Sequence, residues 1–174
     1  MVNIQGKNVY LRAIEPSDLE FLYQLENNPV LWEVSGTITP YSKAVLQRYL
    51  ENAHRDIYEV KQLRLCICSK DNMILGLIDL FDFDPKNKRA GLGVIIADAG
   101  NRNKGIGSEA IGLLCDYAFQ KLDLHQIYAN VLEHNFASIH VFEKLRFTRV
   151  GIKKDWIYSE SMFKNEVLYQ KLKP

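Results

Sequence analysis

The sequence predicts an α+β fold with a mixed, mostly antiparallel central sheet and flanking helices. Three runs rich in β-forming residues, 64–69, 73–83 and 88–97, are separated by short turns containing Asp and Asn, which indicates an antiparallel meander. Apolar residues recur with helical spacing in 105–120, and a further strand candidate follows at 126–132. A strand–helix–strand unit attached to an antiparallel meander gives a mixed sheet.

One strand and two helices precede the meander. Apolar and polar residues alternate in 8–13, which predicts a strand. Residues 15–18 place a proline in a first helical turn and acidic side chains near the positive end of the helix dipole, so a helix begins there. It ends at the Asn-Asn-Pro of 27–29. A less regular stretch, 30–41, leads to a second helix near 42–55.

The C-terminal part adds a helix at about 135–145 and strands at 147–152, 156–159 and 166–171. Because the chain has 174 residues and shows no repeat, low-complexity tract or flexible linker, we expect one domain spanning 1–174.

Charge and composition argue against several classes of partner. Lys and Arg number 22, Asp and Glu number 21, and the net charge is +1. No overall field therefore favours nucleic acid or an anionic membrane. The longest apolar runs, such as 93–97, are far shorter than the ~20 residues of a membrane span. Residues 1–6 lack the pattern of a secretion signal, so we expect a cytoplasmic protein.

The cysteines and histidines do not suggest a metal site. Cys66 and Cys68 lack the two-residue spacer of metal or redox pairs, and together with Cys115 we expect them to be buried free thiols. The four histidines show no His-x3-His spacing. We therefore expect no bound metal.

The segment with the clearest chemistry is 92–110, which runs from a strand through a loop into a helix. Gly105 and Gly107 allow backbone N–H groups to turn towards one point and allow a bulky group to approach. The first N–H groups of the following helix have no intrahelical partner, and the helix dipole is positive there. Arg102 and Lys104 add positive charge beside the loop. This arrangement predicts a phosphate-binding site.

Three other interpretations of the loop compete with this one: a P-loop, a dinucleotide fingerprint and a packing turn. A nucleoside-triphosphate P-loop requires Lys and Ser/Thr where Ile106 and Gly107 stand, so it is excluded. A dinucleotide fingerprint matches the letters of 105–110, but residues 98–104 separate the strand from the first glycine, and Asp123 precedes the next strand instead of ending it. A glycine-rich turn that serves only packing is the third.

Two motifs in this order resemble a known family. Arg102-x-x-Gly105-x-Gly107 is similar to the R/Q-x-x-G-x-G/A signature of the GNAT acetyltransferases, and 135–147 is similar to their N-x-x-A/S-x-x-x-Y-x-K-x-G-F motif. The likeness covers roughly 7–171 and is nearest the branch of spermidine/diamine and ribosomal-protein N-terminal acetyltransferases. It implies an acyl-CoA N-acyltransferase fold whose fourth and fifth strands splay apart, with acetyl-CoA as co-substrate.

The resemblance also implies where the co-substrate lies. The pantetheine arm lies between the splayed strands, where the backbone of Ile95, Ile96 and Ala97 offers it hydrogen bonds. Asn135 bonds the pantetheine or caps its own helix, and Lys144 lies near the nucleotide phosphates. The pyrophosphate is held by the loop residues Arg102, Asn103, Lys104, Gly105, Ile106, Gly107 and Ser108.

Two positions depart from the family pattern. Phe142 stands where relatives have a tyrosine that donates a proton to the leaving thiolate, and a phenyl ring has no such proton. Gly91 stands where relatives often have a glutamate as general base. Because an alkylamine of pKa near 10 is protonated at pH 7, a carboxylate should still accept a proton. A non-catalytic acyl-CoA-binding module is therefore an alternative to an enzyme.

Aspartates of the preceding strand are the candidates for the base. Asp82 and Asp79 are three residues apart and would point to opposite faces of a regular strand. Asp82 is favoured because it lies near the strand end, where we expect the splayed gap. Tyr128 is a substitute candidate for the acid.

The expected acceptor is a primary amine, with a polyamine such as spermidine favoured by the resemblance. Glu33 and Asp82 suit a cationic substrate, and Trp32 can stack on a cation. A peptide N-terminus and an amino sugar are alternatives. A homodimer through the aromatic C-terminal strands is possible by analogy. Arg146, where the family usually has glycine, requires a left-handed helix cap that costs on the order of 1 kcal/mol.

Overall fold

The computed structural model describes residues 4–174, which form one eight-stranded sheet with helices on both faces. The strands are β1 (Ile4–Gln5), β2 (Val9–Ala13), β3 (Leu63–Ser69), β4 (Ile74–Asp84), β5 (Arg89–Ile96), β6 (Gln126–Leu132), β7 (Thr148–Ser159) and β8 (Met162–Leu172). The helices are α1 (Leu19–Glu26), α2 (Pro29–Ser35), α3 (Lys43–Glu51), α4 (Ile57–Val60), α5 (Ile106–Gln120) and α6 (Phe136–Lys144).

The sheet order is β1-β2-β3-β4-β5-β6-β8-β7, and its neighbours are antiparallel except for β5 and β6. These two strands pair in parallel only from Arg89 with Gln126 to Gly91 with Tyr128, and then diverge. The mixed, mostly antiparallel sheet with splayed strands is therefore confirmed. The short β1 was not predicted, and it precedes the first predicted strand. The strands predicted as the fourth and fifth are therefore numbered β5 and β6 in the structure.

Two hydrophobic cores cover the two faces of the sheet. On one face, α5 buries Ile111 and Leu114 against Ile78 and Ile127 of the sheet. On the other face, residues of α1 and α3 pack on β3 and β4, with Leu22 at their centre. The divergence of β5 and β6 thus occurs in a sheet that is supported from both sides.

Several local elements differ from the sequence prediction. Residues 29–35, expected to be mostly irregular, form α2, because the side chain of Asn28 accepts a hydrogen bond from the N–H of Val30 and caps a helix whose first residue is a proline. The two predicted strands at 147–152 and 156–159 are one long strand, β7, with bulges that keep it paired to β8. Arg146 has a φ of 63°, the left-handed cap expected there.

The cysteines are free and buried, as predicted. Within residues 4–174, no helix is both long and apolar enough to cross a membrane. Among the same residues, no group of three or more His, Cys, Asp or Glu side chains is arranged to share a metal ion.

A buried ion pair joins β2 to the start of α1. Arg12 donates to both carboxylate oxygens of Asp18 at 2.8 and 2.9 Å, and the N–H of Glu15 adds a third hydrogen bond at 2.8 Å. Burial raises the pKa of Asp18, but the hydrogen bonds from Arg12 and Glu15 outweigh it and hold the pKa below its usual value. The carboxylate is only 4% exposed.

We expect Asp18→Asn to lower the free energy of unfolding at pH 7 by about 3–5 kcal/mol, because it leaves Arg12 without its buried partner. The folded pKa of Asp18 is depressed, so its stabilisation is present above the unfolded pKa of about 3.9 and is lost as pH falls through the folded pKa. Urea denaturation of wild type and variant at pH 7 and about pH 3 measures both effects. Glu20→Gln, which breaks the exposed pair with Lys43, is the matched control and should change little. Equal losses in the two variants would contradict the prediction.

Candidate active site

The divergence of β5 and β6 opens a cleft with two connected parts. A loop groove of ≈ 260 Å³ lies against the start of α5, and an inner cavity of ≈ 430 Å³ lies between the sheet and α2. Both parts are lined by Val34, Val94, Ile95, Asn135, Ser138 and Phe142. A ligand in the groove therefore has direct access to a second molecule in the cavity.

The loop before α5 has the geometry of an anion-binding turn. Asn103 and Gly105 adopt left-handed conformations with φ of 60° and 80°, and α5 begins directly after Gly105. Among the described residues no side chain caps this helix start, so its first N–H groups are open to a ligand. The carboxylate of Glu109 accepts from the N–H and the side-chain amide of Asn8, both at 2.8 Å, which fixes the first turn of α5 to β2.

The groove at this loop is wide enough for a diphosphate. Arg102, Asn103, Gly105, Gly107 and Ser108 line it. A Cβ built on Gly107 would meet its nearest neighbour, a side-chain carbon of Ile96, only at 4.0 Å. Open space above unpaired amides at the positive end of a helix fits the pyrophosphate of coenzyme A.

Two of the predicted loop residues do not line the groove. Lys104 is exposed beside it. The side chain of Ile106 instead packs against the main core. Lys104 can therefore contribute charge near the groove, and Ile106 can contribute its backbone N–H.

The backbone of β5 offers hydrogen bonds to the gap at alternate residues. The N–H of Ala97 donates to the carbonyl of Leu75 at 3.0 Å. The carbonyl of Ile95 also faces β4, because its oxygen would lie 2.1 Å from a Cβ built on Gly76 of that strand. Strand alternation therefore turns the N–H and C=O groups of Val94 and Ile96 towards the gap. Three residues were predicted to offer backbone hydrogen bonds to the pantetheine arm. The backbone of Ile96 faces the gap as expected, whereas the backbones of Ile95 and Ala97 face β4.

Helix α6 forms the opposite wall. Asn135 caps it by accepting from the N–H of Ser138 at 3.2 Å, and Asn135 also lines both parts of the cleft. Lys144 is exposed in the last turn. It follows the groove-lining Ala137 and Val141 at helical spacing, so it extends the same face of α6.

Phe142 lies where the groove meets the cavity. Its ring is 4% exposed and packs at 5.0 Å from Phe147 and 6.4 Å from Tyr169, measured between centroids. The hydroxyl of Tyr169 is engaged, since it donates to Glu143 at 3.0 Å. One turn before Phe142, Ser138 brings a hydroxyl-bearing side chain to the junction. Ser138 is not among the residues predicted from sequence, although it occupies the A/S position of the second motif.

The space beside Gly91 is filled by a neighbouring ring. A Cβ at Gly91 would lie 2.3 Å from ring carbons of Phe81, so a longer side chain does not fit without moving that ring. Phe81 lines the inner cavity and packs edge to face on Tyr128, with centroids 5.8 Å apart. Phe81 therefore forms one end of the cavity, and Tyr128 packs on its ring from outside the described cavity wall.

Asp79 is the aspartate of β4 that faces the inner cavity. The guanidinium of Arg64 lies 3.8 Å from the carboxylate of Asp79 and 3.0 Å from that of Glu26. The side-chain amide of Gln62 donates to the carboxylate of Asp79 at 3.2 Å. Burial raises the pKa of Asp79, and it outweighs the opposing effects of Arg64 and Gln62. A carboxylate with a raised pKa is a stronger proton acceptor than an ordinary aspartate.

Asp82 and Tyr128 lie outside this cleft, which corrects the expectation that Asp82 borders the splayed gap. A bulge between Phe81 and Asp84 gives Asp82 a φ of 48° and breaks the alternation on which that expectation rested. The hydroxyl of Tyr128 donates to Asp82 at 3.4 Å in a separate depression, at the end where β5 and β6 are still paired. Burial, and then the charge of Asp82, raises the pKa of Tyr128.

The two predicted substrate residues of α2 differ in position. Glu33 lines the inner cavity and is ion-paired with Lys164 of β8. The indole N–H of Trp32 instead donates to the carbonyl of Glu26 at 2.8 Å, and Trp32 is absent from the described walls of both parts. The sequence gives no local signal for the pairing of Glu33, because Lys164 lies 131 residues away on a distant strand.

An open helix start with room for a diphosphate, beside splayed strands of a mixed sheet, is the arrangement of acyl-CoA-dependent acyltransferases. Residues 8–148 match the family model described as Acetyltransferase (GNAT) domain. The chain therefore belongs to the GNAT acetyltransferase family, and it is an acetyl-CoA-dependent N-acetyltransferase.

Relatives and solved structures agree with this assignment. The chain is 30% identical to the probable N-acetyltransferase YjcK of Bacillus subtilis, covering 87% of this chain and 86% of the relative. It is 29% identical to a spermidine N(1)-acetyltransferase of Vibrio cholerae, covering 81% and 79%. A crystal structure of a probable acetyltransferase superposes with a TM-score of 0.87 at 26% identity, covering 99% and 98% of the two chains.

Proposed function

We propose that a primary amine binds in the inner cavity and attacks the acetyl carbonyl directly, while Asp79 accepts the amine proton, either directly or through a water molecule. The observation that carries this proposal is the position of Asp79, a carboxylate of raised pKa on the wall of the cavity. The side chain of Asp79 is 18% exposed, so a molecule in the cavity can reach it.

The remaining residues of the cleft hold the reactants. Acetyl-CoA bound in the loop groove supplies the thioester. The loop N–H groups after Gly105 take its pyrophosphate, and the free backbone groups of Val94 and Ile96 take its pantetheine amides. Arg64, which also lines the cavity, holds Asp79 and Glu26 in place. These contacts convert a bimolecular encounter into an oriented one.

The leaving thiolate needs little help. A thiol has a pKa near that of cysteine, about 8.5, so the thiolate is a tolerable leaving group without a strong acid. Phe142 supplies no proton, and Tyr128 lies in the separate depression with Asp82. Ser138 lines the junction of groove and cavity, and we propose that its hydroxyl donates a hydrogen bond to the sulfur.

Two groups of relatives support two different acceptor amines. The relatives named as spermidine N(1)-acetyltransferases support a polyamine. The relative named as a putative ribosomal N-acetyltransferase supports a protein N-terminus. An amino sugar is a further alternative.

A panel of amines tests the activity. We expect free thiol to be released from acetyl-CoA with at least one amine in a set of monoamines, polyamines, amino sugars and N-terminal peptides, because the cavity contains a proton acceptor beside the thioester site. Thiol release is measured with a colorimetric thiol reagent, and coenzyme A binding is measured separately by calorimetry. A protein that binds coenzyme A and acetylates none of these amines would instead be the non-catalytic binding module.

The association state and location stay predictions. A homodimer is supported by the exposed aromatic side chains of Trp156, Tyr158 and Phe163 on β7 and β8, where β7 is an edge strand. Sedimentation equilibrium measures the association state. A cytoplasmic location rests on the sequence composition alone.

A further inference from the structure

The carboxylates of the inner cavity are already paired with basic groups of the protein itself. Arg64 pairs with both Glu26 and Asp79, at 3.0 and 3.8 Å. A second set of pairs involves β8 and its neighbours, where Lys164 pairs with Glu33, and Lys153 pairs with Glu166 at 2.5 Å. Four carboxylates line the described cavity, and they pair with three basic groups, of which Arg64 alone belongs to the described lining: Glu26, Glu33, Asp79 and Glu166 with Arg64, Lys153 and Lys164.

This arrangement leaves one negative charge in excess. Arg64 is shared between two lining carboxylates, so the excess charge lies on the side of the cavity where Asp79 is located. Lys164 also has a second partner, Glu160, but this carboxylate is 79% exposed and does not belong to the described lining. One ammonium group of a substrate balances it. A second ammonium group would enter a region where each carboxylate has a cation beside it, and it would lose its hydration without gaining a partner.

Lys164 is the basic group that neutralises the far side of the cavity. Its ammonium, 10% exposed, donates to Glu33 and also to Glu160 at 2.7 Å. The hydrogen bond from Lys164 is the largest influence on the pKa of Glu33 and lowers it, while Glu160 and Glu33 raise the pKa of Lys164. His134 lies 3.5 Å from the second oxygen of Glu33. Glu33, the carboxylate that would best attract the second ammonium of a substrate, is therefore already paired with the ammonium of Lys164.

We infer that Lys164 determines acceptor specificity, by occupying the Glu33 subsite that a second ammonium of the substrate would need. The acceptor of this enzyme is thus an amine that carries a single positive charge in the cavity. The inference rests on the proposed function, and it makes a monoamine a better substrate than a polyamine. The similarity to spermidine N(1)-acetyltransferases supports a polyamine as the better substrate, so an experiment must distinguish the two substrate orders.

A matched pair of amines tests the inference. n-Butylamine and 1,4-diaminobutane differ by one ammonium group, and spermidine adds a third. We expect wild type to show the higher kcat/KM with n-butylamine. Lys164→Met keeps most of the side-chain length and frees Glu33, so it should raise the ratio of kcat/KM for 1,4-diaminobutane over n-butylamine by about 10- to 100-fold, the value of one charged hydrogen bond. Calorimetric binding of 1,4-diaminobutane to the coenzyme A complex should tighten in parallel.

Two further variants serve as controls. Lys173→Met removes a lysine whose partner is the exposed Asp123, and the ratio should stay at its wild-type value. The double variant Lys164→Met with Glu33→Gln should lose the gain, because the freed carboxylate is gone. The inference is overturned if wild type prefers the diamine, or if Lys164→Met changes neither the ratio nor diamine binding. A protein that acetylates no amine at all refutes the proposed function instead, and the binding measurement still decides whether Lys164 excludes the second ammonium.

Discussion

Gly107→Trp is expected to weaken coenzyme A binding by about 100-fold or more and to leave the protein folded. The indole would occupy the groove above the open N–H groups at the start of α5 and displace the pyrophosphate. Loss of two or more charge-assisted hydrogen bonds, each about 1.5–3 kcal/mol, corresponds to at least this change in Kd. The nearest atom to a Cβ at this position is 4.0 Å away, so the backbone accepts the side chain. Titration calorimetry with coenzyme A measures the loss.

Gly112→Trp is the matched control for this experiment. It places the same side chain on the same helix, at a position where a Cβ meets no atom within 4 Å among the described residues and which lies outside the groove. We expect its coenzyme A affinity to equal that of wild type. Equal affinity in Gly107→Trp and wild type would mean that the diphosphate is bound elsewhere. Equal weakening in both variants would indicate a general effect of the bulky side chain on α5.

The loop could be predicted from sequence because its chemistry is local. Gly105, Gly107 and the helical period that follows them lie within a few residues of each other, and unpaired amides at a helix start need no partner from elsewhere. The splay of the fourth and fifth predicted strands followed from the resemblance, since the pattern of strands alone leaves several topologies open. The hydrophobic periodicity therefore predicts the helices and strands, and the family motifs predict how the sheet is arranged.

The acceptor side of the cleft could not be predicted in the same way. Its charges come from β3, β4, β7, β8 and two helices, so pairs such as Glu33 with Lys164, which are 131 residues apart, have no signal in local spacing. The bulge at Asp82 is another case, because a single extra residue in a strand reverses the direction of each later side chain. Gly91 seemed to leave the site without a side chain, and only the packing shows that the ring of Phe81 fills this space.

The choice between the two candidate aspartates of β4, Asp79 and Asp82, is the strongest test of the mechanism. We expect Asp79→Asn to reduce kcat by about 10²- to 10⁴-fold, the usual loss when a positioned general base is removed, with coenzyme A affinity unchanged. An amide cannot accept the proton, although it keeps the shape of the side chain. Asp82→Asn is the matched control from the same strand, and it should retain wild-type kcat because Asp82 lies in the separate depression with Tyr128.

The pH profile gives a second readout of the same prediction. A base must be unprotonated to act, and burial raises the pKa of Asp79, so kcat/KM should decline as pH falls through a value above that of an ordinary aspartate. This acid limb should be missing from the residual activity of Asp79→Asn and unchanged in Asp82→Asn. A loss of activity in Asp82→Asn, with Asp79→Asn fully active, would return the proton acceptor to the position that sequence alone favoured. It would also imply that the amine binds at the paired end of β5 and β6, since a carboxylate can act only within hydrogen-bond reach of the proton it accepts.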